Sequence, residues 1–188
     1  FRYAPSYNAQ NINTILDWSS WTGASGGFQG AIEMCNNNGS CRKLDGGVMC
    51  PSFRVTKDKK DSTRGRANSL RLALSGQLGK DALTSEEMDD TMKLCVSCKA
   101  CKRECPTGVD MSKMKIEILS LKAKKIGLDI NSKLVAYLPY YAPIASKFSL
   151  IMNLRDKLPG LAKLSEVFLG FTSKRPLPQW RSDYFKNR

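Results

Sequence analysis

Four closely spaced cysteines constrain this chain more than any other feature of its sequence. The run Cys95-Val-Ser-Cys98-Lys-Ala-Cys101-Lys-Arg-Glu-Cys105-Pro has the spacing C-x2-C-x2-C-x3-C-P. Three thiolates at every third residue can wrap one iron–sulfur cluster within a single tight loop, and the backbone N–H groups of that loop then face the inorganic sulfides. The spacing therefore predicts a [4Fe–4S] cluster bound by Cys95, Cys98 and Cys101.

A second cysteine group, earlier in the chain, repeats this spacing imperfectly. Cys35 and Cys41 keep the positions of the outer two cysteines, and Asn38 takes the position of the middle one. Cys50, which is followed by proline, then matches the closing cysteine after eight intervening residues in place of three. The two groups therefore predict a pair of related loops, of which the first has lost one thiol.

In two-cluster ferredoxins the closing cysteine of each run ligates the other cluster. This exchange gives a complete set for a first cluster: Cys95, Cys98, Cys101 and Cys50. It leaves a set for a second cluster that is one thiolate short, with an asparagine as a further candidate ligand: Cys35, Cys41, Cys105 and Asn38. Two alternatives stay open, a second cluster of three or four irons or an empty second site with structural cysteines. If there is one cluster only, Cys105 is an alternative to Cys50 as its fourth ligand.

Other uses of the cysteines fit the sequence less well. An odd number, seven, cannot pair fully in disulfides, and zinc sites typically separate two C-x2-C pairs by a dozen or more residues. The chain has no histidine, which excludes His-based acid–base or nucleophilic catalysis and Rieske ligation within these residues. Zinc or buried unpaired thiols remain as the alternatives to a cluster.

The excess positive charge lies mostly in the C-terminal part. The net charge is +13, of which residues 111–188 contribute +10 from 15 basic and 5 acidic side chains. No nucleic-acid-binding motif accompanies this charge, so nucleic acid is not an expected partner. A solvated face, or a docking face for an acidic partner or anionic lipid, explains the charge better. No window approaches the ~18 consecutive apolar residues of a membrane span.

The sequence patterns predict a mostly α fold without strand or hairpin signals. We expect a linker at residues 1–27, an α-helical ferredoxin-like domain with cluster-binding loops at 28–128, a helical extension at 129–173 and an extended tail at 174–188. No signal peptide is visible, and the absence of an initiator Met indicates a fragment of a longer chain. The aromatic side chain of Trp18 is expected to anchor the linker.

Three helices of the central domain have clear sequence signals. One is expected from about residue 62 to 78, with an apolar stripe of Ala67, Leu70, Leu74 and Leu78. A second follows a capping box formed by Thr84 and Glu87, and Met88, Met92 and Cys95 are expected on one face of it. The third begins after an N-cap at Asp110 and ends at Gly127.

Four stretches resemble a known family over roughly residues 28–126. They are Cys35-Asn-Asn-Asn-Gly-Ser-Cys-Arg-Lys43, Gly47-Val-Met-Cys-Pro-Ser-Phe-Arg-Val-Thr56, Thr63-Arg-Gly-Arg-Ala-Asn68 and Cys105-Pro-Thr-Gly-Val-Asp-Met111. The chain resembles the iron–sulfur portion of large bacterial FAD-linked oxidases of the D-2-hydroxyglutarate and D-lactate dehydrogenase type, and is similar to the iron–sulfur subunit of glycolate oxidase. Neither a flavin-binding sequence nor the downstream cysteine-rich pairs of that family occur here.

The resemblance implies that the chain relays electrons and holds no substrate-oxidising residues of its own. FAD and the site that oxidises a 2-hydroxy acid would lie on a separate domain or subunit, and reduced flavin would pass electrons through the cluster to a quinone or carrier. The basic, apolar helices of residues 134–171 would pack on the flavin domain, with peripheral contact to an anionic membrane as the alternative. The expected location is cytoplasmic or at the inner face of the membrane. Rival functions are a stand-alone iron–sulfur subunit of a quinone-linked complex and a non-redox, metal-stabilised binding module.

Overall fold

The computed structural model describes residues 9–21 and 26–183. Within these ranges the chain forms eleven α-helices, three short 3-10 turns and no β-strand, so the predicted mostly α fold is confirmed. The helices are α1 (Gly27–Glu33), α2 (Pro51–Thr56), α3 (Thr63–Leu74), α4 (Glu86–Lys93), α5 (Ala100–Glu104), α6 (Met111–Ile126), α7 (Ile130–Ala136), α8 (Leu138–Lys147), α9 (Ser149–Met152), α10 (Leu154–Lys157) and α11 (Leu161–Leu169). The 3-10 turns are Ser40–Arg42, Lys59–Asp61 and Ala82–Thr84.

The chain divides into two compact units between Ile126 and Gly127. The first unit contains every cysteine and the whole buried apolar core, to which α1, α3, α4 and α6 contribute most of the side chains. In the second unit, Ser146 is the single buried residue among those described. No helix in the described ranges is long and apolar enough to cross a membrane. The predicted domain limits are close to this division but stay a prediction.

Helix α3 begins with a side-chain cap and ends earlier than its apolar pattern predicts. The Ser62 hydroxyl accepts a hydrogen bond from the N–H of Gly65 at 3.1 Å. Ala67, Leu70 and Leu74 are buried as expected, but Leu78 is exposed and lies beyond the helix. The expectation that the stripe continues to Leu78 was wrong, because the chain leaves the helix through Ser75 and a left-handed Gly76 (φ 76°).

Helix α4 is capped one residue later than the sequence predicts. The side chain of Ser85, not of Thr84, accepts a hydrogen bond from the N–H of Met88. Thr84 instead closes the preceding 3-10 turn, which corrects the predicted capping box. Met88 and Met92 are buried, whereas Cys95 follows the end of the helix rather than lying on its face.

Helix α6 confirms the predicted limits at both ends. The N–H of Lys113 donates to the Asp110 carboxylate at 3.0 Å, and Gly127 stands at φ 80° directly after the helix. Met114 and Ile118 are buried against the core. The helix therefore presents its N-terminus close to the end of the cysteine run, which matters for the site described below.

The predicted linker, residues 1–27, is tied to the core through residues 9–21, and its last residue, Gly27, already belongs to α1. The buried Glu117 carboxylate accepts hydrogen bonds from the backbone N–H groups of Ile15 and Leu16 and from Trp18 Nε1 at 2.8–2.9 Å. Trp18 is buried and packs edge-on against Phe28, with ring centroids 5.0 Å apart. The expected aromatic anchor is thus present, while the rest of the expected linker, residues 1–8 and 22–25, lies outside the described residues.

Candidate iron–sulfur centre

The two cysteine groups lie on loops with the same backbone path. Each loop follows a short helix, α1 or α4, and begins with a cysteine whose N–H donates to a carbonyl of that helix, at 3.2 Å for Cys35 and 3.0 Å for Cys95. Each then has two residues at positive φ, at the second and fourth positions after the cysteine. A helical turn follows in both, Ser40–Arg42 in the first and α5 in the second. The imperfect repeat of sequence is therefore a repeat of structure.

Four cysteines of the predicted first set line a single cavity. They are Cys50, Cys95, Cys98 and Cys101, and Cys105 is not among the residues that line it. Cys50 and Cys101 are buried, Cys95 is half-buried and Cys98 is exposed. Four thiols around one cavity are the donor set that a [4Fe–4S] cluster requires, so the residues present fit the group.

Backbone N–H groups at two helix N-termini point at sulfur atoms of this set. At the start of α3, the N–H of Thr63 donates to Cys50 Sγ at 3.0 Å, and the Thr63 hydroxyl is 3.0 Å from the same atom. At the start of α6, the N–H groups of Met111 and Ser112 donate to the sulfur of Cys101. Helix N-termini stabilise negative charge, so both positions favour thiolates and the negative cluster that they would bind.

A buried guanidinium also borders the cavity. Arg66, on α3, is only 2% exposed and donates hydrogen bonds to the backbone oxygens of Thr91 and Asp61 and to the hydroxyl of Ser52. Its Nη2 is 3.5 Å from the Asp61 carboxylate. An unpaired buried charge would be strongly destabilising, and these partners hold the cation in place beside the thiols.

Cys50 is held against the cysteine run by a carboxylate that the sequence analysis missed. Glu104, the last residue of α5, accepts hydrogen bonds from the N–H groups of Val48 and Met49 at 2.9 and 3.2 Å. A Cβ on Gly47 would lie 2.4 Å from Glu104 Oε2. A side chain at Gly47, which stands at φ 62°, would therefore displace the Glu104 carboxylate from these N–H groups or strain the backbone. No local sequence pattern around Glu104 predicts its contact with Val48 and Met49, which lie far from it in the chain.

The predicted second set is arranged differently. Cys41 Sγ accepts the N–H of Arg64 at 3.4 Å and shares a hydrogen bond with Cys50. Cys105 Sγ lies 3.3 Å from the Thr107 hydroxyl and is also hydrogen-bonded to the Asn38 side chain. Cys35 is buried. The charges of Cys41 and Cys105 act on the Cys35 thiol, which also accepts a hydrogen bond from the N–H of Asn37, so the three thiols lie near one another while Cys41 and Cys105 have separate hydrogen-bond partners.

The thiol pKa values follow from these contacts. The hydrogen bond with Cys50 lowers the pKa of Cys41 to about 6 and raises the pKa of Cys50. Burial raises the pKa of Cys35 and of Cys101. Because a metal binds the thiolate form, loading of buried cysteines with raised pKa values releases protons and becomes more favourable as the pH rises.

A single bound metal ion requires an arrangement of ligands that differs from that of a cluster. In the part of the chain that the structure describes, no three Cys, His, Asp or Glu side chains converge closely enough to bind one ion. The corners of an iron–sulfur cluster hold its thiolates farther apart than the ligands of one ion.

Comparison with known proteins agrees with the cysteine geometry. Residues 31–109, which include all seven cysteines, match the protein family described as the 4Fe-4S dicluster domain. The chain is 28% identical to the D-2-hydroxyglutarate dehydrogenase of Escherichia coli (strain K12), over 76% of its own length. It is 27% identical to the proteins of that name from Pantoea ananatis and Haemophilus influenzae, over 76% and 77% of its length.

These relatives are much longer than the chain, which spans about 17% of the length of each. No solved structure gives a significant match. The resemblance inferred from the motifs, to the iron–sulfur portion of oxidases of this type, is confirmed by the family match and the relatives together.

Proposed function

We propose that the chain is the electron-transfer domain of a FAD-linked 2-hydroxy-acid dehydrogenase. The observation that carries this proposal is the single cavity lined by four cysteines from two distant segments, Cys50, Cys95, Cys98 and Cys101. These four would hold one [4Fe–4S] cluster, which when bound supplies transfer of single electrons. The relatives named D-2-hydroxyglutarate dehydrogenase support a dehydrogenase as the larger assembly.

The surrounding residues would set the conditions at this site. The N–H groups of Thr63, Met111 and Ser112 donate to sulfur and lower the electron density there. Hydrogen bonds to the sulfurs raise the reduction potential of such sites, whereas the buried charge of Arg66 is offset by the Asp61 carboxylate. Exposure of Cys98 leaves one corner of the site near the surface, which is where a partner centre would exchange electrons.

The partner would be a flavin-containing domain or subunit, because the chain accounts for only about 17% of its relatives' length. Substrate oxidation would take place there, and the acceptor after the cluster would be a quinone or a carrier. Large apolar side chains on the C-terminal helices are exposed, including Tyr140, Leu150, Val167 and Phe168. We propose that they pack on that partner, with peripheral contact to an anionic membrane from the cytoplasmic side as the competing explanation.

The test uses the anaerobically purified assembly that contains this chain and its flavin, with D-2-hydroxyglutarate as the probe substrate. We expect the broad absorbance at about 400 nm that thiolate-bound iron gives to bleach after substrate is added without an acceptor. In a Cys98→Ala variant the flavin should still be reduced, while the 400 nm band should be weak and should not respond. A colourless protein that contains zinc would contradict the proposal.

A further inference from the structure

We propose that the loop from Cys35 to Cys41 is a metal-independent copy of the cluster loop, and that the chain binds one cluster and not two. The inference rests on the proposed function, because it assigns the cluster to the other loop. The matching family is described as a dicluster domain, so a second cluster is the natural expectation. The residues of the first loop do not fit it.

The first reason is that both ends of the Asn38 side-chain amide already have partners within the loop, in addition to the contact with Cys105. Asn38 Oδ1 accepts the N–H of Ser40 at 2.9 Å, and its Nδ2 donates to Asn36 Oδ1 at 2.7 Å. Both ends of the amide are therefore satisfied without a metal. Asn38 stands where Cys98 stands in the cluster loop, and these bonds close the loop where a metal–thiolate bond would otherwise do so.

The second reason is that α3 holds the loop from outside. Asn37 Oδ1 accepts the guanidinium Nε of Arg64 at 2.8 Å. The carbonyl oxygen of Cys35 accepts a hydrogen bond from Arg71 Nη2 at 3.0 Å. Buried hydrogen bonds to charged donors are the strong ones, so the loop keeps its path through protein contacts alone.

The third reason is the choice of residues at the left-handed positions. In the first loop these are Asn37 (φ 62°) and Gly39 (φ 81°), whereas in the cluster loop they are Ser97 (φ 54°) and Lys99 (φ 59°). Glycine adopts this conformation freely and asparagine tolerates it, while other residues pay roughly 1–2 kcal/mol. The first loop is thus built from residues that adopt its shape unaided.

The cluster loop has little support of this kind. Among the described residues, the side-chain hydrogen bond that reaches its backbone comes from Lys115, whose Nζ donates to the carbonyl oxygen of Cys95 at 2.6 Å. Ser97 and Lys99 therefore hold strained conformations with few protein contacts to maintain them. Bonds from Cys95, Cys98 and Cys101 to a common cluster would supply that restraint.

Two thiols of the predicted second set, Cys41 in the first loop and Cys105 at the end of the cysteine run, are consistent with a structural role. Cys41 points to Cys50 and to the N–H of Arg64, so it lies against a ligand of the first cluster. Cys105 binds Thr107 and Asn38. These contacts give each thiol a packing and hydrogen-bonding role that needs no iron.

The test compares two equivalent substitutions in the whole chain, Cys35→Ser and Cys95→Ser, because these cysteines open the two loops. We expect about four irons and four acid-labile sulfides per wild-type chain after anaerobic purification. Cys35→Ser should keep them and Cys95→Ser should lose most of them. Seven or eight irons in the wild type, or loss of about half the iron in Cys35→Ser, would overturn the inference.

Hydrogen exchange gives a second measurement that does not depend on the iron count. When iron is removed by chelation, amide exchange in residues 96–100 should rise by at least about tenfold, while that of residues 36–40 should not change. Asn38→Ala should expose the Ser40 amide, and Asn38→Asp, which keeps the accepting oxygen, should restore its protection. If no iron binds at all, the proposed function is wrong. Slow amide exchange of residues 36–40 in that iron-free chain would still support a metal-independent loop. Rapid exchange of residues 36–40 without iron would contradict it.

Discussion

Cys50 is positioned next to the cysteine run by residues that are not themselves candidate ligands. The segment before it is fixed by Glu104 through two backbone N–H groups, and the thiol itself lies at the N-terminus of α3 next to Thr63. The sequence predicted the four cysteines of this cavity from their spacing. It did not predict Glu104, because a hydrogen bond between distant segments leaves no periodic or spacing signal.

Gly47→Ala tests this support at the scale of one residue. The new Cβ would meet Glu104 Oε2 at 2.4 Å, and φ is 62° at this position. We expect the chain to lose about 1 kcal/mol or more of unfolding free energy, and iron to be retained less well because Cys50 is displaced. The measurements are anaerobic thermal unfolding and the rate of iron loss to a chelator.

The matched control is Gly46→Ala, whose Cβ would meet nothing within 4 Å. It should leave both the unfolding temperature and the rate of iron loss close to those of the wild type. Equal effects of the two substitutions would show that the contact with Glu104 is unimportant.

Among the helices, local signals predicted both ends of α6 but missed the start of α4 and the end of α3. Asp110 was identified as the cap of α6 because an N-cap acts on the next three residues, which the sequence shows directly. The N-cap of α4 was predicted at Thr84 and lies at Ser85. Adjacent hydroxyl groups offer the same chemistry, and only the backbone conformation decides which of them caps the helix. The predicted position of Leu78 on α3 was wrong because a glycine turn ends the helix before this residue, although the apolar spacing continues to it.

Gly65→Ala is expected to destabilise α3, although alanine usually stabilises a helix relative to glycine. Intrinsic propensity favours alanine over glycine by about 1 kcal/mol. Here, however, a Cβ would lie 2.2 Å from the Lys59 carbonyl oxygen and 2.8 Å from Lys60 Cα. Because these are backbone atoms, we expect a net destabilisation of about 1–3 kcal/mol. Thermal unfolding against a Ser69→Ala control on the same helix measures it, and a rise in stability would contradict the close packing.

Glu117→Ala tests the attachment of the N-terminal segment. The substitution removes the acceptor for the N–H groups of Ile15, Leu16 and Trp18. Leaving these donors without a partner should destabilise the chain by about 2–3 kcal/mol, and the Trp18 fluorescence should shift towards that of a solvated indole. Glu117→Gln keeps one acceptor oxygen and should have a smaller effect. An unchanged spectrum in Glu117→Ala would show that residues 9–21 are held by other contacts.

In the molecule as a whole, the division between Ile126 and Gly127 places all seven cysteines in one unit and the C-terminal helices in the other. Among the residues that the structure describes, every buried apolar residue of the core lies between Trp18 and Ile118. The sequence predicted the helical character and the basic charge of the second unit. The proposed contact of its exposed apolar side chains with a partner leaves no pattern in the sequence, because exposed and interface apolar positions have the same spacing.

Deletion of residues 127–188 should therefore leave the iron content of the chain unchanged. The shortened chain keeps every cysteine, α3 and α6. Iron and acid-labile sulfide per chain, measured on the anaerobically purified protein, check this. Loss of iron on deletion would show that the second unit is needed to form the site.

We propose that one cluster is bound by Cys95, Cys98, Cys101 and Cys50. The most direct measurement is the iron content of Cys50→Ser and Cys105→Ser, purified side by side without oxygen. Cys50→Ser should lose most of its iron and its absorbance at about 400 nm, while Cys105→Ser should keep about four irons. Retention of the cluster in Cys50→Ser, with loss in Cys105→Ser, would contradict the assignment and place the fourth ligand within the cysteine run itself.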